Sequence, residues 1–376
     1  MKSLILPYLI PYTLYLFSCS SSNSDSADKK NNTDSLKVFV SGFATTFEKE
    51  KVIPIIKCTK DSSVHYALYL PKNYSADKTI PIIYCFDSHG SGSYPLEKYK
   101  YLAEKYGFVL AGSNNSKNGM SWEQNHPQIK TFMDDVKEKI NIDTKRIYTC
   151  GFSGGSRVAS SVAIFDGGIA SVIGMGAGFP SLSEPIRNRF DYIGFAGNED
   201  FNMNEMIQLS ALMDNSPIRH RLEIFNGKHE WATAEIAEDA FLWIEFNAMK
   251  EGLISKNDSL IKNFATKNEN EIKNLEQKKM AYEELLLCKK MTNYLDGLAD
   301  VAGYRKKAEE LNASDKLKKI TTKKDNLAKE ETVLQESYRN NFVLKDFSWW
   351  TIEIKKLNQI SKNKNDNERA IMNKRL

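Results

Sequence analysis

Short apolar runs alternate with amphipathic stretches through the middle of the 376-residue chain. Five to seven residues long, the apolar runs have the length of buried strands, and they lie at 82–86, 108–112, 146–150, 169–175, 191–196 and 219–225. Apolar residues recur at helical spacing between them, at 96–106, 127–140 and 156–165. Strands that alternate with helices predict an α/β domain, 37–250, with a mostly parallel sheet flanked by helices.

The pattern changes past about residue 250, where glycines and strand-like runs become rare. Apolar residues at helical spacing among Lys and Glu then fill 268–294, 298–311, 314–340 and 349–360. This predicts an all-α C-terminal domain, 251–376, in which Trp349 and Trp350 hold the last helix against a neighbour. The sequence leaves its role open between packing, spacing and binding of a partner in the cell envelope.

The N-terminus reads as a targeting segment rather than as part of the fold. A short basic start and an apolar run lead to Leu16-Phe-Ser-Cys19, which resembles a bacterial lipobox, so 1–18 is predicted to be a lipoprotein signal peptide and Cys19 the lipidated residue. Residues 19–36 are polar and predict a flexible tether. The expected location is the cell envelope, periplasmic or surface-exposed, on a lipid anchor. Plain secretion, or retention of the apolar run as an anchor, is the alternative.

The segment Gly151-Phe-Ser153-Gly154-Gly155 lies between a strand-like run, 146–150, and a helix-like run, 156–165. An abrupt strand-to-helix turn forces its central residue into strained backbone angles and needs small neighbours, so Ser153 is predicted to be an exposed nucleophile. The first amides of the helix, beginning with Gly154, would face a developing oxyanion.

A serine nucleophile needs a base and an acid that orients it, and on this scaffold they follow in the order serine, acid, histidine. Asp200 comes just after the apolar run 191–196, at the strand end where such acids lie, with Glu199 as the rival. The run 219–225 leads to His229. Among five histidines, His229 alone follows a strand end after Asp200, which predicts it to be the base.

The remaining site residues are predicted from two loops. The loop after 82–86 contains a His-Gly pair, and the amide of Ser88 or of His89 is the expected second oxyanion donor. The loop 113–122 should open at the same sheet edge, where Asn115 and Trp122 would line the pocket; alternatively it is an Asn-Gly turn whose tryptophan serves only in packing. Trp231, close to the base, would form a wall of the cleft or pack in the core.

Together these residues resemble the α/β-hydrolase superfamily, and within it the lidless secreted esterases such as polyhydroxybutyrate depolymerases, feruloyl esterases and dienelactone-hydrolase-like proteins. The resemblance spans about residues 60–250 and rests on 66–74, 86–92, the Ser153 elbow, Asp200 and His229-Glu-Trp231. It implies a serine esterase that forms an acyl-enzyme on an ester-linked substrate, including esters attached to a polysaccharide. The chain departs from the dienelactone hydrolases, which use a cysteine where Ser153 stands, and Asp87 precedes the His-Gly pair.

Charge and cysteine usage restrict the partners. The net charge is +4, and residues from Glu251 onward carry 26 Lys and Arg against 20 Asp and Glu, an excess too mild and too dispersed to predict nucleic-acid binding. Cysteine and histidine spacing predicts no metal, and no cofactor is expected. Beyond Cys19, the cysteines are expected to be buried free thiols.

Two alternatives to an esterase remain, a catalytically idle binding lipoprotein of this fold and a serine peptidase.

Overall fold

The computed structural model describes residues 47–182, 185–363 and 365–376. Eight strands form one sheet in the order β1-β2-β4-β3-β5-β6-β7-β8. The strands are β1 (Val52–Lys57), β2 (His65–Tyr69), β3 (Ile80–Phe86), β4 (Val109–Ser113), β5 (Ile142–Phe152), β6 (Ser171–Met175), β7 (Asp191–Gly197) and β8 (His220–Phe225). β2 pairs antiparallel with β1 and β4, and every other pairing is parallel. This confirms the predicted α/β-hydrolase fold.

Helices cover the sheet and continue past it. Those between and after the strands are α1 (Ser93–Tyr106), α2 (Trp122–Lys139), α3 (Gly154–Ser161), α4 (Met203–Met213) and α5 (Ala234–Lys250). A π-helical turn, Val162–Asp166, extends α3. The C-terminal helices are α6 (Asp258–Gln277), α7 (Ala281–Leu295), α8 (Ala302–Ala313), α9 (Asp315–Phe342), α10 (Phe347–Ile360) and α11 (Asn367–Arg375).

Three helical predictions need correction. The pattern at 268–294 is not one helix, because the chain breaks between α6 and α7, where Lys279 has a φ of 55°. α2 begins at Trp122, five residues before Pro127, because Ser121 and Gln124 form a capping box there, and Pro127 lies inside the helix. α11 was missed, so Trp349 and Trp350 belong to the penultimate helix, where Trp350 packs on Tyr338 of α9 with ring centroids 5.9 Å apart.

Two apolar cores lie on opposite faces of the sheet, because successive side chains of a strand point to opposite sides. On β3, Ile82 and Tyr84 belong to one core, which packs under α2 and α3. Ile83 and Cys85 belong to the other, which packs under α1 and α5 and continues into α6 and α7. Strands buried on both faces explain the continuous apolar runs of the sequence.

The predicted signal peptide 1–18, the tether 19–36 and the lipidation residue Cys19 lie outside the described residues. Within the described ranges, none of the helices combines the length and apolarity that a membrane crossing requires. The other four cysteines, Cys58, Cys85, Cys150 and Cys288, are buried free thiols as expected.

Candidate active site

The turn from β5 into α3 places Ser153 at the edge of the sheet. Ser153 has φ 54° and ψ −121°, a strained conformation for a residue with a side chain. The glycines around it are required by close packing rather than by their own dihedral angles: a Cβ at Gly151 would overlap the carbonyl oxygen of Gly155, and a Cβ at Gly155 would overlap that of Phe86. The elbow predicted from the sequence therefore has the backbone geometry that exposes a serine hydroxyl.

The structure brings Ser153, His229 and Asp200 together from three separate loops. His229 Nε2 lies 3.0 Å from Ser153 Oγ, and His229 Nδ1 lies 2.8 Å from Asp200 Oδ1. The Asp200 side chain is 1% exposed and the imidazole 20% exposed. A buried carboxylate, an imidazole and the hydroxyl of a partly buried serine are thus joined in one hydrogen-bonded line, which can pass a proton from the hydroxyl to the imidazole.

Asp200 rather than its neighbour Glu199 reaches the imidazole. Asp200 Oδ1 also accepts the Asn202 amide at 2.8 Å, which fixes the carboxylate within its own loop. Glu199 turns the other way and pairs with Lys374 Nζ at 2.6 Å. Between the two carboxylates that the sequence offered, the geometry thus selects Asp200.

Two aromatic rings hold the imidazole of His229, a feature that the sequence analysis missed. The Phe152 ring centroid lies 4.7 Å from the imidazole, and the Phe201 ring lies 4.2 Å from it. These residues adjoin the predicted nucleophile and the predicted acid in the sequence, so the two loops that supply polar groups also supply the packing. Contact with both rings restricts rotation of the imidazole.

The amides of Gly154 and Ser88 are the candidate oxyanion donors. Gly154 is the first residue of α3, and the first amides of a helix have no intrahelical acceptor. In the described part of the chain, no backbone acceptor bonds the Ser88 amide. The His89 amide, by contrast, donates to Asp87 Oδ2 at 2.8 Å and is not available. The predicted choice between Ser88 and His89 therefore falls on Ser88, and His89 is withdrawn as a donor.

Asp87 fixes the loop that carries Ser88. Its carboxylate is 7% exposed, and Oδ2 accepts the amide of His89. Oδ1 accepts the indole Nε1–H of Trp231 at 3.1 Å. Trp231 is 5% exposed and packs in the core. Of the two roles predicted for Trp231, the structure supports core packing and not a wall of the cleft.

Asn115 and Trp122 make their described contacts away from the three converging side chains. The Asn115 side chain accepts the His65 amide and donates to the Ser63 carbonyl, so it fixes the start of β2. Trp122 stacks on His126 in the first turns of α2, with ring centroids 4.8 Å apart. Asn118, which was not singled out from the sequence, lies closer to the site, because its Oδ1 occupies the space where a Cβ of Gly154 would be.

No family model matches the chain, and no curated protein sequence matches it. Similar solved structures include an S-formylglutathione hydrolase from Staphylococcus aureus, 14% identical over 48% of this chain and 90% of that chain, with a TM-score of 0.41. A Pyrobaculum calidifontis esterase is 13% identical over 54% and 87%, with a TM-score of 0.43. The feruloyl esterase module from Clostridium thermocellum, complexed with sinapinate, is 12% identical over 51% and 86%, also with a TM-score of 0.43. Similarity this low assigns no activity, so the function is argued from the site itself.

Proposed function

We propose that this protein is a serine hydrolase that cleaves carboxylic esters through an acyl-enzyme. The observation that supports the proposal is the hydrogen-bonded line from Ser153 Oγ through the imidazole of His229 to Asp200 Oδ1, with distances of 3.0 Å and 2.8 Å. This arrangement supplies a nucleophile, a base and a group that orients the base.

In the proposed first half-reaction, Ser153 Oγ attacks the ester carbonyl carbon while His229 Nε2 takes the hydroxyl proton. The carbonyl oxygen becomes an oxyanion, which accepts hydrogen bonds from the amides of Gly154 and Ser88. Collapse of this intermediate breaks the bond to the alcohol oxygen, and His229 gives its proton to the leaving alcohol. The acyl group then remains on Ser153.

In the second half-reaction, His229 removes a proton from water as the water oxygen attacks the acyl carbon. The bond from the acyl carbon to Ser153 Oγ breaks, His229 returns the proton to Oγ, and the carboxylic acid leaves. The imidazole must be neutral at the start of both halves, so activity is expected to fall on acidification.

A fluorophosphonate probe tests this proposal without knowledge of the natural substrate, because it labels only an activated serine. Wild-type protein should be labelled, Ser153→Ala should not, and Ser181→Ala, which changes an exposed serine, should behave as wild type. Absence of labelling in folded wild-type protein would overturn the proposal and favour a binding protein with this fold.

A substrate panel then tests the reaction class. Short-chain nitrophenyl esters and acetylated or feruloylated sugars should be cleaved, whereas aminoacyl amides should not. Cleavage of the amides without cleavage of the esters would replace the esterase proposal with a peptidase. Sugar esters are included because we propose that the enzyme meets polymer-attached substrates in the cell envelope.

We also propose that Cys19 carries the lipid that anchors the protein to a bacterial membrane. Support comes from the lipobox-like Leu16-Phe-Ser-Cys19 and from the polar sequence that follows it. Incorporation of labelled palmitate by the full chain, and its loss in Cys19→Ala, is the expected result. Equal incorporation by the two proteins would contradict it.

A further inference from the structure

The loop that carries Asp200 is held by the end of the chain. Arg375 Nη1 donates to the carbonyl oxygen of Asn198 at 2.7 Å, and Gln335 Nε2 donates to that of Phe201 at 3.0 Å. α9 and α11 therefore bond the loop on both sides of Asp200, more than 130 residues away in sequence.

The contact from Arg375 is built on a buried ion pair. Its side chain is 7% exposed and that of Glu331 is fully buried. Arg375 Nε lies 2.7 Å from Glu331 Oε1, and Nη2 bonds the second carboxylate oxygen. Buried charges are retained only when they are paired and hydrogen-bonded, and this guanidinium uses its remaining nitrogen on the Asn198 carbonyl. The pair thus joins α9, α11 and the loop 198–202 that carries Asp200, here named the acid loop, in one network.

Displacement of this loop would act directly on the proposed base. Asp200 orients His229 through a 2.8 Å hydrogen bond, and the adjacent Phe201 packs on the same imidazole. The C-terminal helices bond the backbone carbonyl of Asn198, two residues before Asp200, and that of Phe201 itself. Reacting groups tolerate little misplacement, and a shift of about 1 Å can cost on the order of a hundredfold in rate.

We propose that Arg375, with Glu331 and Gln335, is a positioning residue for the catalytic acid, so that the C-terminal helices are part of the catalytic unit. These three residues form the C-terminal clamp. The clamp deepens the proposed function and rests on it, because its effect on rate presupposes that His229 is the base. The physical part of the claim, that the clamp holds the loop at 198–202, is measurable without any activity.

Arg375→Ala tests the clamp, and Arg369→Ala is its matched control. Arg369 forms a bidentate pair with Glu330, also between α11 and α9, and within the described residues its ion pairs are with Glu330 and Asp366 rather than with the acid loop. We expect Arg375→Ala to slow fluorophosphonate labelling of Ser153 by about tenfold to a hundredfold, and Arg369→Ala to change it less than about twofold. Arg375→Lys keeps the charge but not the fork of donors, so it should restore part of the rate.

Amide hydrogen exchange in residues 198–202 gives the second readout. Exchange there should accelerate in Arg375→Ala and not in Arg369→Ala. Equal labelling rates and equal loop exchange in the two variants would overturn the clamp. If wild-type protein were not labelled at all, the proposed function would fall, and the exchange experiment would still decide whether the clamp holds the loop.

Loss of Arg375 alone leaves Glu331 buried without a partner, which can prevent folding. The double variant Glu331→Leu with Arg375→Met removes both charges together with the bond to Asn198, and Gln335→Ala removes only the bond to Phe201. Both should slow labelling and accelerate loop exchange. Wild-type behaviour of both variants would overturn the proposal.

Discussion

At the residue scale, we predict opposite effects on the rate for substitution of the two adjacent carboxylates of the acid loop, Glu199 and Asp200. Asp200→Asn keeps the shape of the side chain but stabilises the wrong tautomer of His229, so the rate of ester cleavage should fall by roughly 10⁴-fold. Glu199→Gln breaks only the pair with Lys374, whose side chain is 42% exposed, and should change the rate by less than about twofold. Steady-state kinetics on a nitrophenyl ester measures both. A comparable loss in Glu199→Gln would contradict the assignment of the acid.

Asp191, buried at the start of β7, carries a separate prediction about stability. Burial raises the pKa of Asp191 from 3.8 to about 6, although the Arg219 guanidinium, 2.9 Å away, lowers it in part. Because the folded protein binds this proton more tightly than the unfolded chain, the group stabilises the fold below about pH 4 and loses that contribution as the pH rises through about 6.

Asp191→Asn should therefore remove this part of the pH dependence. The melting temperature at about pH 4.5 minus that at about pH 7, measured by calorimetry, should be smaller in Asp191→Asn than in wild type, because the variant lacks the stabilisation on the acid side. Asp315→Asn, which changes a carboxylate that is 93% exposed, should leave the difference unchanged. The prediction fails if Asp191→Asn and wild type titrate alike.

At the element scale, the hydrogen bond between Asp87 and Trp231 connects the loop after β3 to the loop after β8. Trp231→Phe keeps an aromatic ring beside Phe152 but leaves a buried carboxylate oxygen without its donor. An unpaired buried acceptor costs about 1–3 kcal/mol, and the Ser88 amide moves with this loop. We expect lower stability and a turnover reduced by at least about tenfold. If displacement of the loop removes the Ser88 amide as an oxyanion donor, the reduction should reach about a hundredfold or more.

The matched control for that variant is Trp122→Phe, since Trp122 stacks on His126 and not on Ser153, His229 or Asp200. Turnover should remain within about twofold of wild type, because the ring contacts of the partly buried Trp122 are with His126 and Phe165 and not with Ser153, His229 or Asp200. Equal turnover in the two variants would show that Trp231 does not act through Asp87. Urea denaturation of both proteins separates the loss of stability from the loss of turnover.

Local signals explain what the sequence could predict. The strands are buried on both faces, so their apolar runs are continuous, and the elbow around Ser153 follows from spacing within a few residues. Strand ends also placed Asp200 and His229 at one sheet edge. The contact between Asp87 and Trp231 has no such signal, because it joins residues 144 apart in sequence. The hydrogen bonds of the Asn115 side chain have no such signal either, since its partner His65 lies 50 residues earlier.

Helix ends were harder to predict than helix existence. A single apolar period runs across the junction of α6 and α7, and nothing in that period reveals the left-handed turn at Lys279. α11 is short and polar, and its buried side of Ala370 and Met372 is defined only by packing against other parts of the chain. The helix that carries Arg375 of the clamp was therefore one that the sequence pattern could not predict.

At the scale of the whole molecule, the first two C-terminal helices, α6 and α7, share a core with the sheet. Phe264 of α6 lies 4.9 Å from Tyr294 of α7 and 5.3 Å from Phe246 of α5, measured between ring centroids. Trp243 Nε1 of α5 donates to Asn293 Oδ1 of α7 at 2.8 Å. Buried aromatic packing therefore connects the two sides of the domain boundary predicted at residue 250. Elements that share a core are expected to unfold together.

This packing predicts one cooperative unfolding transition that includes the active site. Phe264→Ala should destabilise the protein by about 3–5 kcal/mol, because it opens a cavity in the shared core. The temperature at which Ser153 loses labelling should fall with the calorimetric midpoint, because Phe152 and Trp231 beside the site belong to the same core as Phe264. Phe347→Ala, which changes a side chain that is 85% exposed on α10, should lower stability by less than about 0.5 kcal/mol. Two resolved transitions in Phe264→Ala, with labelling retained through the first, would mean that the helices fold independently and that the acid loop does not need them.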